Sequence, residues 1–201
     1  MSAHFEKLNQ YIKQFVPMSD AELLVLNEQC HKVHFNKGDI IMKAGERQKS
    51  LFFITKGIIR NYVENIKGNI KIYNFRSELM TVTGYALYNY EDHLKALVNV
   101  ECLVDCVMIE VPLKAIDYVI KNMESGERLG RFMAEMHVIE MLKSVIQRDT
   151  KTIIERYNDL EAAFPNIHNR IPQHMIASYL GITPVHLSNL KKNRKILTES
   201  I

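Results

Sequence analysis

Hydrophobic positions divide the chain into two parts, which meet at Pro112. The first part opens with two short helices, and before the second of them Ser19 and Glu22 have the spacing of a capping box. Short segments rich in β-branched and aromatic residues follow, a composition typical of strands. We place these strands at residues 32–35, 40–43, 51–55, 58–64, 70–75, 98–104 and 106–111. Glycine turns separate many of them and no helical pattern lies between them, which favours a sandwich or barrel over a parallel α/β sheet.

After this proline the apolar period is helical. A much longer helix over residues 125–149 follows a first short one, with Ser125 as its N-cap. Its apolar stripe has nearly the spacing of a coiled-coil seam and consists of Leu129, Phe132, Met136, Ile139, Leu142 and Ile146. Other apolar positions widen the stripe, so the helix has two faces to bury. A second copy of the chain, related by a two-fold axis, would cover one face, and burial inside one subunit is the alternative. A helix over 152–163 and a loop over 164–170 come next.

Residues 173–192 have the apolar spacing of two short helices that cross over a tight turn. The small side chain of Ala177 allows the two helices to approach closely. Gly181 is placed to end the first helix in a left-handed conformation. Thr183 can cap the second helix, and Pro184 fits its first turn, where an amide hydrogen is not needed. The segment is therefore predicted to be a helix-turn-helix.

The second helix of this pair, over residues 184–195, is the predicted recognition element. Asparagine can pair with the edge of adenine and an aliphatic side chain can contact the methyl group of thymine, whereas lysine and arginine suit phosphates. The alternative is an ordinary solvated face of a helical hairpin. The candidate DNA-binding residues are Thr183, Val185, His186, Ser188, Asn189, Lys191, Lys192 and Arg194.

The positive charge of the chain is concentrated in the same region. The net charge is +3, and residues 168–201 hold five basic residues and one acidic residue. The rest of the chain holds 21 basic and 22 acidic residues and is nearly neutral. A small basic module on a neutral body is typical of a protein that binds a polyanion such as double-stranded DNA, with chance clustering of surface lysines as the alternative.

Length and composition narrow the class of protein further. The 201 residues correspond to one or two domains, and 47% hydrophobic with 24% charged residues is typical of a globular protein. No apolar run reaches 18 residues and no signal-peptide pattern opens the chain, so we expect no membrane segment and a cytoplasmic location. The three scattered cysteines favour a reducing compartment over a disulfide framework.

Several glycine-containing motifs occur in a characteristic order along the chain. They are Phe35-Asn36-Lys37-Gly38-Asp39-Ile40-Ile41, Ala44-Gly45-Glu46, Leu51-Phe52-Phe53-Ile54-Thr55-Lys56-Gly57 and the hairpin Lys67-Gly68-Asn69. With the strand pair, long helix and helix-turn-helix that follow, the chain resembles the Crp/Fnr-type transcription regulators over nearly its full length. The resemblance implies an α+β fold, with an antiparallel β-roll (double-stranded β-helix) like that of cyclic-nucleotide-binding domains. It divides the chain into this sensor domain (1–124), a dimerisation helix (125–149) and a helix-turn-helix DNA-binding domain (150–201).

The resemblance also implies an effector pocket, which would include Ser77, Glu78, Leu79, Leu94 and Lys95. In nucleotide-binding members, a Gly-Glu pair and an Arg-Ser or Arg-Thr pair hold the ribose and the cyclic phosphate. Here the glutamate is kept as Glu78, whereas Leu94 stands in place of the phosphate-binding arginine. Loss of the guanidinium removes a bidentate clamp on phosphate, which argues against cyclic AMP binding in the family manner. A different effector, or none, is the alternative.

Other sensor chemistries of the family can be compared with the same residues. The first thirty residues contain only Cys30, which excludes the four-thiolate iron–sulfur site of some members. His93 or Cys102 as a haem ligand stays open, although such side chains are usually structural. The arginine and glutamate with which members read guanine and cytosine are absent, since Pro184, Val185 and Asn189 stand at those positions. The operator should therefore differ from that of the nucleotide-binding members.

Two other classes of function have less support in the sequence than a regulator. A cupin-like enzyme would need a His-x-His metal motif, but His31 and His34 have a different spacing, and we expect no catalytic residue, metal site or required cofactor. A ligand-free dimeric interaction module would keep the fold without using the DNA-binding end. The sequence predicts a homodimeric transcription regulator whose partners are double-stranded DNA, a second copy of itself and, in some settings, RNA polymerase.

Overall fold

The computed structural model describes residues 3–83 and 95–199, with side chains up to residue 193. The described helices are α1 (Ala3–Phe15), α2 (Asp20–Glu28), α3 (Leu113–Asn122), α4 (Gly126–Thr150), α5 (Ile153–Ala163), α6 (Ile167–Arg170), α7 (Gln173–Leu180) and α8 (Pro184–Glu199). The described strands are β1 (His31–Phe35), β2 (Ile40–Met42), β3 (Ser50–Lys56), β4 (Ile58–Glu64), β5 (Ile70–Ser77), β6 (Thr81–Val82), β7 (Asn99–Cys102) and β8 (Cys106–Pro112). None of these helices combines the length and apolar character that crossing a membrane requires.

The described strands form two antiparallel four-stranded sheets, in the orders β1-β8-β3-β6 and β2-β7-β4-β5. The two sheets share one apolar cluster, which includes the fully buried Ile54, Ile59, Val100 and Met108. This arrangement is the expected antiparallel β-roll. The sequence predicts every described strand except β6, which has two residues and therefore no detectable period.

Strand β4 is buried on both of its faces, which explains why its apolar side chains occur at both odd and even positions. Ile59 and Val63 belong to the cluster inside the roll. Ile58 and Tyr62 belong to a second cluster, which the roll shares with the C-terminal helices. Since successive residues of a strand point to opposite sides, β4 joins the interior of the roll to the C-terminal part of the chain.

The start of α4 is held by a carboxylate from α2. The predicted capping box of α2 is present, with Ser19 and Glu22 bonded to each other's backbone amides. The prediction that the side chain of Ser125 caps α4 is wrong, because this residue has a helical backbone (φ −80°, ψ −5°) and makes no such hydrogen bond. Instead the Ser125 amide donates to Glu22 Oε1 at 2.9 Å, and its hydroxyl donates to Glu22 Oε2 and to the Pro17 carbonyl. Hydrogen bonds from the amides of Ser125 and Ser19 lower the pKa of Glu22.

The C-terminal helices begin with a second capping box, formed by Thr152 and Glu155 at the start of α5. The predicted loop over residues 164–170 is wrong in its last part, where α6 forms a helical turn. Asn166, with a left-handed φ of 60°, reverses the chain before this turn, and the fully buried Ile167 anchors it. Four residues are too few for a helical period to be recognised in the sequence.

The predicted apolar stripe of α4 divides into two parts with different surroundings. Leu129 is 7% exposed in the core of its own chain, and Phe132 stacks on Phe15 with ring centroids 4.5 Å apart. Met136 is half-buried. The later positions Ile139, Leu142 and Ile146 are exposed. The stripe therefore does not face a single surface, because the first turns of α4 pack against α1 and α3.

Gly126 lies where α3 and α4 approach each other closely. Of the described glycines, it has the least room for a Cβ atom. A Cβ atom at this position would lie 2.0 Å from the carbonyl oxygen of Val119 and 2.7 Å from Cα of Ile120. Both atoms belong to backbone, which cannot move aside as the end of a side chain can. Close packing of the two helices thus requires glycine here.

We expect Gly126→Ala to lower the free energy of unfolding by about 2 kcal/mol or more, because α3 and α4 must separate. Urea denaturation followed by circular dichroism measures this change. Ser144→Ala, on the exposed part of the same helix, is the control and should change stability by less than about 0.5 kcal/mol. Equal stability of the two variants would contradict the close approach.

Candidate DNA-binding and effector sites

Helices α7 and α8 form the predicted helix-turn-helix. Gly181 ends α7 with a left-handed φ of 75°, and its amide donates to the carbonyl oxygen of Ala177. The hydroxyl of Thr183 accepts a hydrogen bond of 3.2 Å from the amide of His186, as expected of an N-cap. Ala177 and Leu187 are fully buried where the two helices meet. The turn and the crossing of the helices thus follow from the residues that predict them.

The outer face of α8 carries the predicted base-reading side chains. Ser188 and Lys191 are half-buried, while the side chain of Arg194 lies outside the described residues. Val185 is 70% exposed. The exposed candidates are Thr183, Val185, His186, Asn189 and Lys192. This face is therefore accessible to a duplex in the conformation described.

Helix α7 lies against the outer side of the β-roll, along β5. In the sheet order β5 is an edge strand, so one row of its backbone groups lacks a neighbouring strand. The hydroxyl of Ser178 accepts from the amide of Ile72 at 3.4 Å and donates to the carbonyl oxygen of Ile70 at 3.1 Å. Tyr179 packs on Phe75, with ring centroids 5.5 Å apart. The helix-turn-helix therefore covers part of this free edge.

A bidentate ion pair joins the same two regions next to β5. The guanidinium of Arg170 donates to both carboxylate oxygens of Glu78, at 2.8 and 3.0 Å. The amide of Gly57 donates to Glu78 Oε1 at 2.9 Å. Burial of the Glu78 carboxyl opposes its ionisation, but the hydrogen bonds from Arg170 and Gly57 outweigh it and lower the pKa. The side chains are about one-third exposed, at 33% for Arg170 and 37% for Glu78.

The described members of the predicted effector pocket have different surroundings. Glu78 binds Arg170 instead, a partner 92 positions away that no local pattern could reveal. Leu79 is half-exposed, with a left-handed φ of 64°, in the turn after β5. Lys95 is exposed and forms an isolated bridge with Arg47. Ser77 is half-buried at the end of β5, and Leu94 lies outside the described residues, as does His93.

A cavity of about 100 Å³ lies between α1, the β-roll and α4. Its walls are mostly apolar, with α4 contributing Leu129, Phe132, Met133 and Met136. The roll contributes polar side chains, among them Asn61 of β4 and Arg76 of β5. These residues are not recognisable in the sequence, because strand composition alone does not show which polar side chains point inward.

Arg76 of the cavity wall is paired with α4. It donates to the two carboxylate oxygens of Glu140 at 2.9 and 2.6 Å. Burial opposes ionisation of Glu140, but the hydrogen bonds from Arg76 prevail and lower its pKa. Burial also lowers the pKa of His137, which lines the same cavity, so that its imidazole is uncharged at neutral pH. The charges at this end of the cavity are therefore balanced.

The cysteines are buried in the core. All three are free thiols, and burial raises the pKa of Cys30 to about 12. A hydrogen bond with Cys106, together with burial, raises the pKa of Cys102, which is fully buried. Burial and a raised pKa, as at Cys30 and Cys102, are not typical of a reactive thiol. In the described residues, no group of three or more His, Cys, Asp or Glu side chains is arranged to hold a metal ion.

Comparisons with known proteins agree with this architecture. Residues 32–123 match the model of the cyclic nucleotide-binding domain. The HTH-type transcriptional regulator ArcR of Staphylococcus epidermidis is 30% identical over 210 residues, which cover 96% of this chain and 87% of that protein. The chain belongs to the Crp/Fnr-type transcription regulators.

Solved structures show the same fold for this regulator. FixK2 from Bradyrhizobium japonicum superposes with a TM-score of 0.70 at 15% identity, over 86% of each chain. A putative regulator of the crp/fnr family from Eubacterium rectale superposes with a TM-score of 0.69 at 13% identity, over 93% of this chain and 88% of that one. The family consists of transcription regulators, so the cupin-like enzyme considered from the sequence is excluded.

The ion pair between Glu78 and Arg170 should stabilise the contact between the roll and the C-terminal helices of the regulator. A double-mutant cycle with Glu78→Gln and Arg170→Met should give a coupling energy of about 1 kcal/mol, modest because both side chains are partly exposed. The matched control is the exposed pair Asp117–Lys121 within α3, with an expected coupling of about 0.3 kcal/mol. Chemical denaturation of each variant provides the energies. A coupling no larger than that of the control pair would show that the ion pair does not fix the interface.

Proposed function

We infer that this regulator is a homodimer that binds a specific DNA sequence through α8 and responds to a small effector other than cyclic AMP. The observation that carries this inference is the accessible polar face of α8 on a fully formed helix-turn-helix. In this proposal residues 1–124 form the sensor domain, 125–149 the dimerisation helix and 150–201 the DNA-binding domain. The regulator acts in the cytoplasm.

The exposed part of α4 supports the homodimer. Six apolar side chains there are between 37% and 56% exposed, and at 100° per residue they cover one side of the helix. They are Val138, Ile139, Met141, Leu142, Val145 and Ile146. Apolar side chains in such a contiguous strip typically mark an interface. A second copy related by a two-fold axis would bury the strip against itself, and the operator would then have two half-sites about 34 Å apart.

The composition of the α8 face supports sequence-specific reading of DNA. Asn189 can pair bidentately with adenine, and Val185 can contact a thymine methyl group. Lys192 lies one turn further along and suits a phosphate. Because Pro184, Val185 and Asn189 stand where other members have arginine and glutamate, the half-site should be richer in A·T pairs than a guanine-reading site.

The effector site supports a ligand different from cyclic AMP. The sequence has Leu94 where nucleotide-binding members have the arginine that clamps the phosphate. The cavity beside α4 has a volume of about 100 Å³, well below the roughly 300 Å³ at which pockets for drug-sized ligands begin. Arg76, a cation on its wall, is already neutralised by Glu140. A nucleotide phosphate would have to displace that carboxylate.

The contacts of α4, β5 and α7 support a route from effector to DNA. The cavity beside α4 borders α4 and β5, and β5 also contacts α7 through Ile70 and Phe75. An effector that prefers one arrangement of α4 on the roll would shift the population of dimers toward it. The relative setting of the two recognition helices would change accordingly.

Substitutions on α8 test the assignment of the DNA-binding face. In a selection from random duplexes, the wild type should enrich a roughly palindromic sequence. Asn189→Ala should relax the preference at one position of each half-site, at a cost of about 1–3 kcal/mol there. Lys192→Ala should weaken binding to all duplexes and reduce the salt slope by about one per recognition helix.

The control for both variants is Lys121→Ala, which removes an exposed lysine of α3 far along the chain from α8. It should leave the enriched sequence and the salt slope unchanged. The selection reports the enriched sequence, and fluorescence anisotropy at two salt concentrations gives the salt slope. Absence of any enriched sequence in the wild type would contradict the regulator and favour an interaction module.

A charge in the exposed apolar strip of α4 tests the dimer. Leu142→Glu should convert the dimer to a monomer in sedimentation equilibrium, because two buried carboxylates would face each other across the two-fold axis. Its affinity for the palindromic duplex should fall by about a hundredfold, since each half-site then binds alone. Ser144→Glu, on the opposite side of the same helix, should keep both the mass and the affinity of the wild type. A wild type that is monomeric at micromolar concentration would overturn the proposed assembly.

A further inference from the structure

Arg170 lies directly before the helix-turn-helix, at the end of the short helix α6. Only the buried Ile171 and the exposed Pro172 separate it from α7. Helix α7 has eight residues, so it spans about 12 Å. The turn that leads to α8 follows Gly181, at the other end of α7. Arg170 is therefore placed at the end of α7 that is distant from the start of the recognition helix.

This end of α7 is where a bound duplex would present its backbone. In helix-turn-helix complexes the second helix enters the major groove and the first helix crosses the sugar–phosphate backbone. The major groove is about 12 Å wide, which matches the length of α7. The start of α7 would thus lie over the phosphates that border the groove. The side chains of Pro172, Gln173 and His174 are exposed there, so the roll does not cover this end of the helix.

The side chain of Arg170 binds an anion of the protein in the conformation described. Its two terminal nitrogens donate to the two carboxylate oxygens of Glu78, at 3.0 and 2.8 Å. A planar guanidinium binds a phosphate through the same pair of parallel hydrogen bonds. Glu78 therefore occupies one phosphate-binding edge of Arg170 and neutralises its charge.

The pair of Glu78 and Arg170 can open without movement of the helix-turn-helix. Both side chains are about one-third exposed, at 37% and 33%, so water can replace either partner. Glu78 keeps the hydrogen bond from the amide of Gly57, which does not depend on Arg170. The bonds between Ser178 and β5 hold α7 on the roll independently. Rotation of one side chain is then enough to turn the guanidinium from the carboxylate to a phosphate.

We propose that Arg170 binds a phosphate of the DNA backbone and that Glu78 competes with this phosphate in the free protein. Glu78 is then an internal anion that lowers the affinity for DNA. The contact lies outside the face of α8 and contributes no sequence preference, since phosphates carry no base information. The inference rests on the proposed function, because it requires a DNA-bound state.

Substitution of each partner has an opposite effect in DNA titrations. Binding of the palindromic duplex to the full-length protein is measured by fluorescence anisotropy at two salt concentrations. Arg170→Met should weaken binding to all duplexes and lower the salt slope by about one per half-site. Glu78→Gln should tighten binding about fivefold per half-site, the equivalent of a partly exposed ion pair, and leave the salt slope unchanged.

Further variants separate the phosphate contact from other effects. Glu78→Gln combined with Arg170→Met should bind no more tightly than Arg170→Met alone, because the carboxylate then has no cation to occupy. Arg170→Lys keeps the charge and should retain the salt slope. The matched control is Asp117→Asn, which removes a carboxylate from the exposed ion pair of α3 and should change the affinity less than twofold. If Arg170→Met does not fold, Glu78→Gln decides the proposal against this control.

Three outcomes would overturn the proposal. They are an unchanged salt slope in Arg170→Met, a Glu78→Gln variant that binds no more tightly than the wild type, and an equal gain from Glu78→Gln with and without Arg170. The third would show that Glu78 acts only through general repulsion of the duplex. In each case a sequence preference that Asn189→Ala relaxes would leave the proposed function standing. A wild type that binds no duplex would contradict the proposed function and the phosphate contact together.

Discussion

The position of the recognition helix depends on one interface, where α7 covers the free edge of β5. An edge strand presents unpaired amide and carbonyl groups, and the hydroxyl of Ser178 pairs with one of each. The apolar cluster that β4 and β5 share with the C-terminal helices stabilises this interface through the burial of apolar surface. The bidentate pair of Arg170 with Glu78 then fixes the orientation, since a planar guanidinium binds a carboxylate in one geometry. Movement of the DNA-binding helices relative to the roll must break directional bonds as well as apolar contacts.

Helix α4 connects this interface to the rest of the molecule by serving three surfaces in succession. Its first turns pack on α1 and α3, where Gly126 permits close contact. Its middle turns border the cavity and are joined to β5 through Glu140 and Arg76. Its later turns expose the apolar strip that begins at Val138. Glu140 lies on the same part of α4 as the strip. A shift of α4 relative to the roll would therefore also change the position of the strip.

The sequence predicts elements whose signals are local. The capping box of α2, the left-handed Gly181 and the strand composition each depend on residues within a few positions, and each is present in the structure. The contacts of the predicted effector residues and of the cavity are not local in sequence. Glu78 forms an ion pair with Arg170, 92 positions away. The cavity combines side chains from α1, the roll and α4. Ser125 shows the same limit on a smaller scale, because a carboxylate from α2 replaces its expected cap. Pairings across elements require the tertiary arrangement, which no local period encodes.

A cavity between layers is an efficient place for a small ligand to act. Raising a minor state from about 1% to about 50% of the population requires a differential affinity of about a hundredfold, or about 2.7 kcal/mol. At a ceiling of about 1.5 kcal/mol per non-hydrogen atom, this difference requires at least about two atoms of the ligand to make their contacts in one state only. Walls divided between α1, the roll and α4 meet that condition, because a shift of α4 separates them. A pocket inside a single rigid layer would bind the ligand equally in both states and shift nothing.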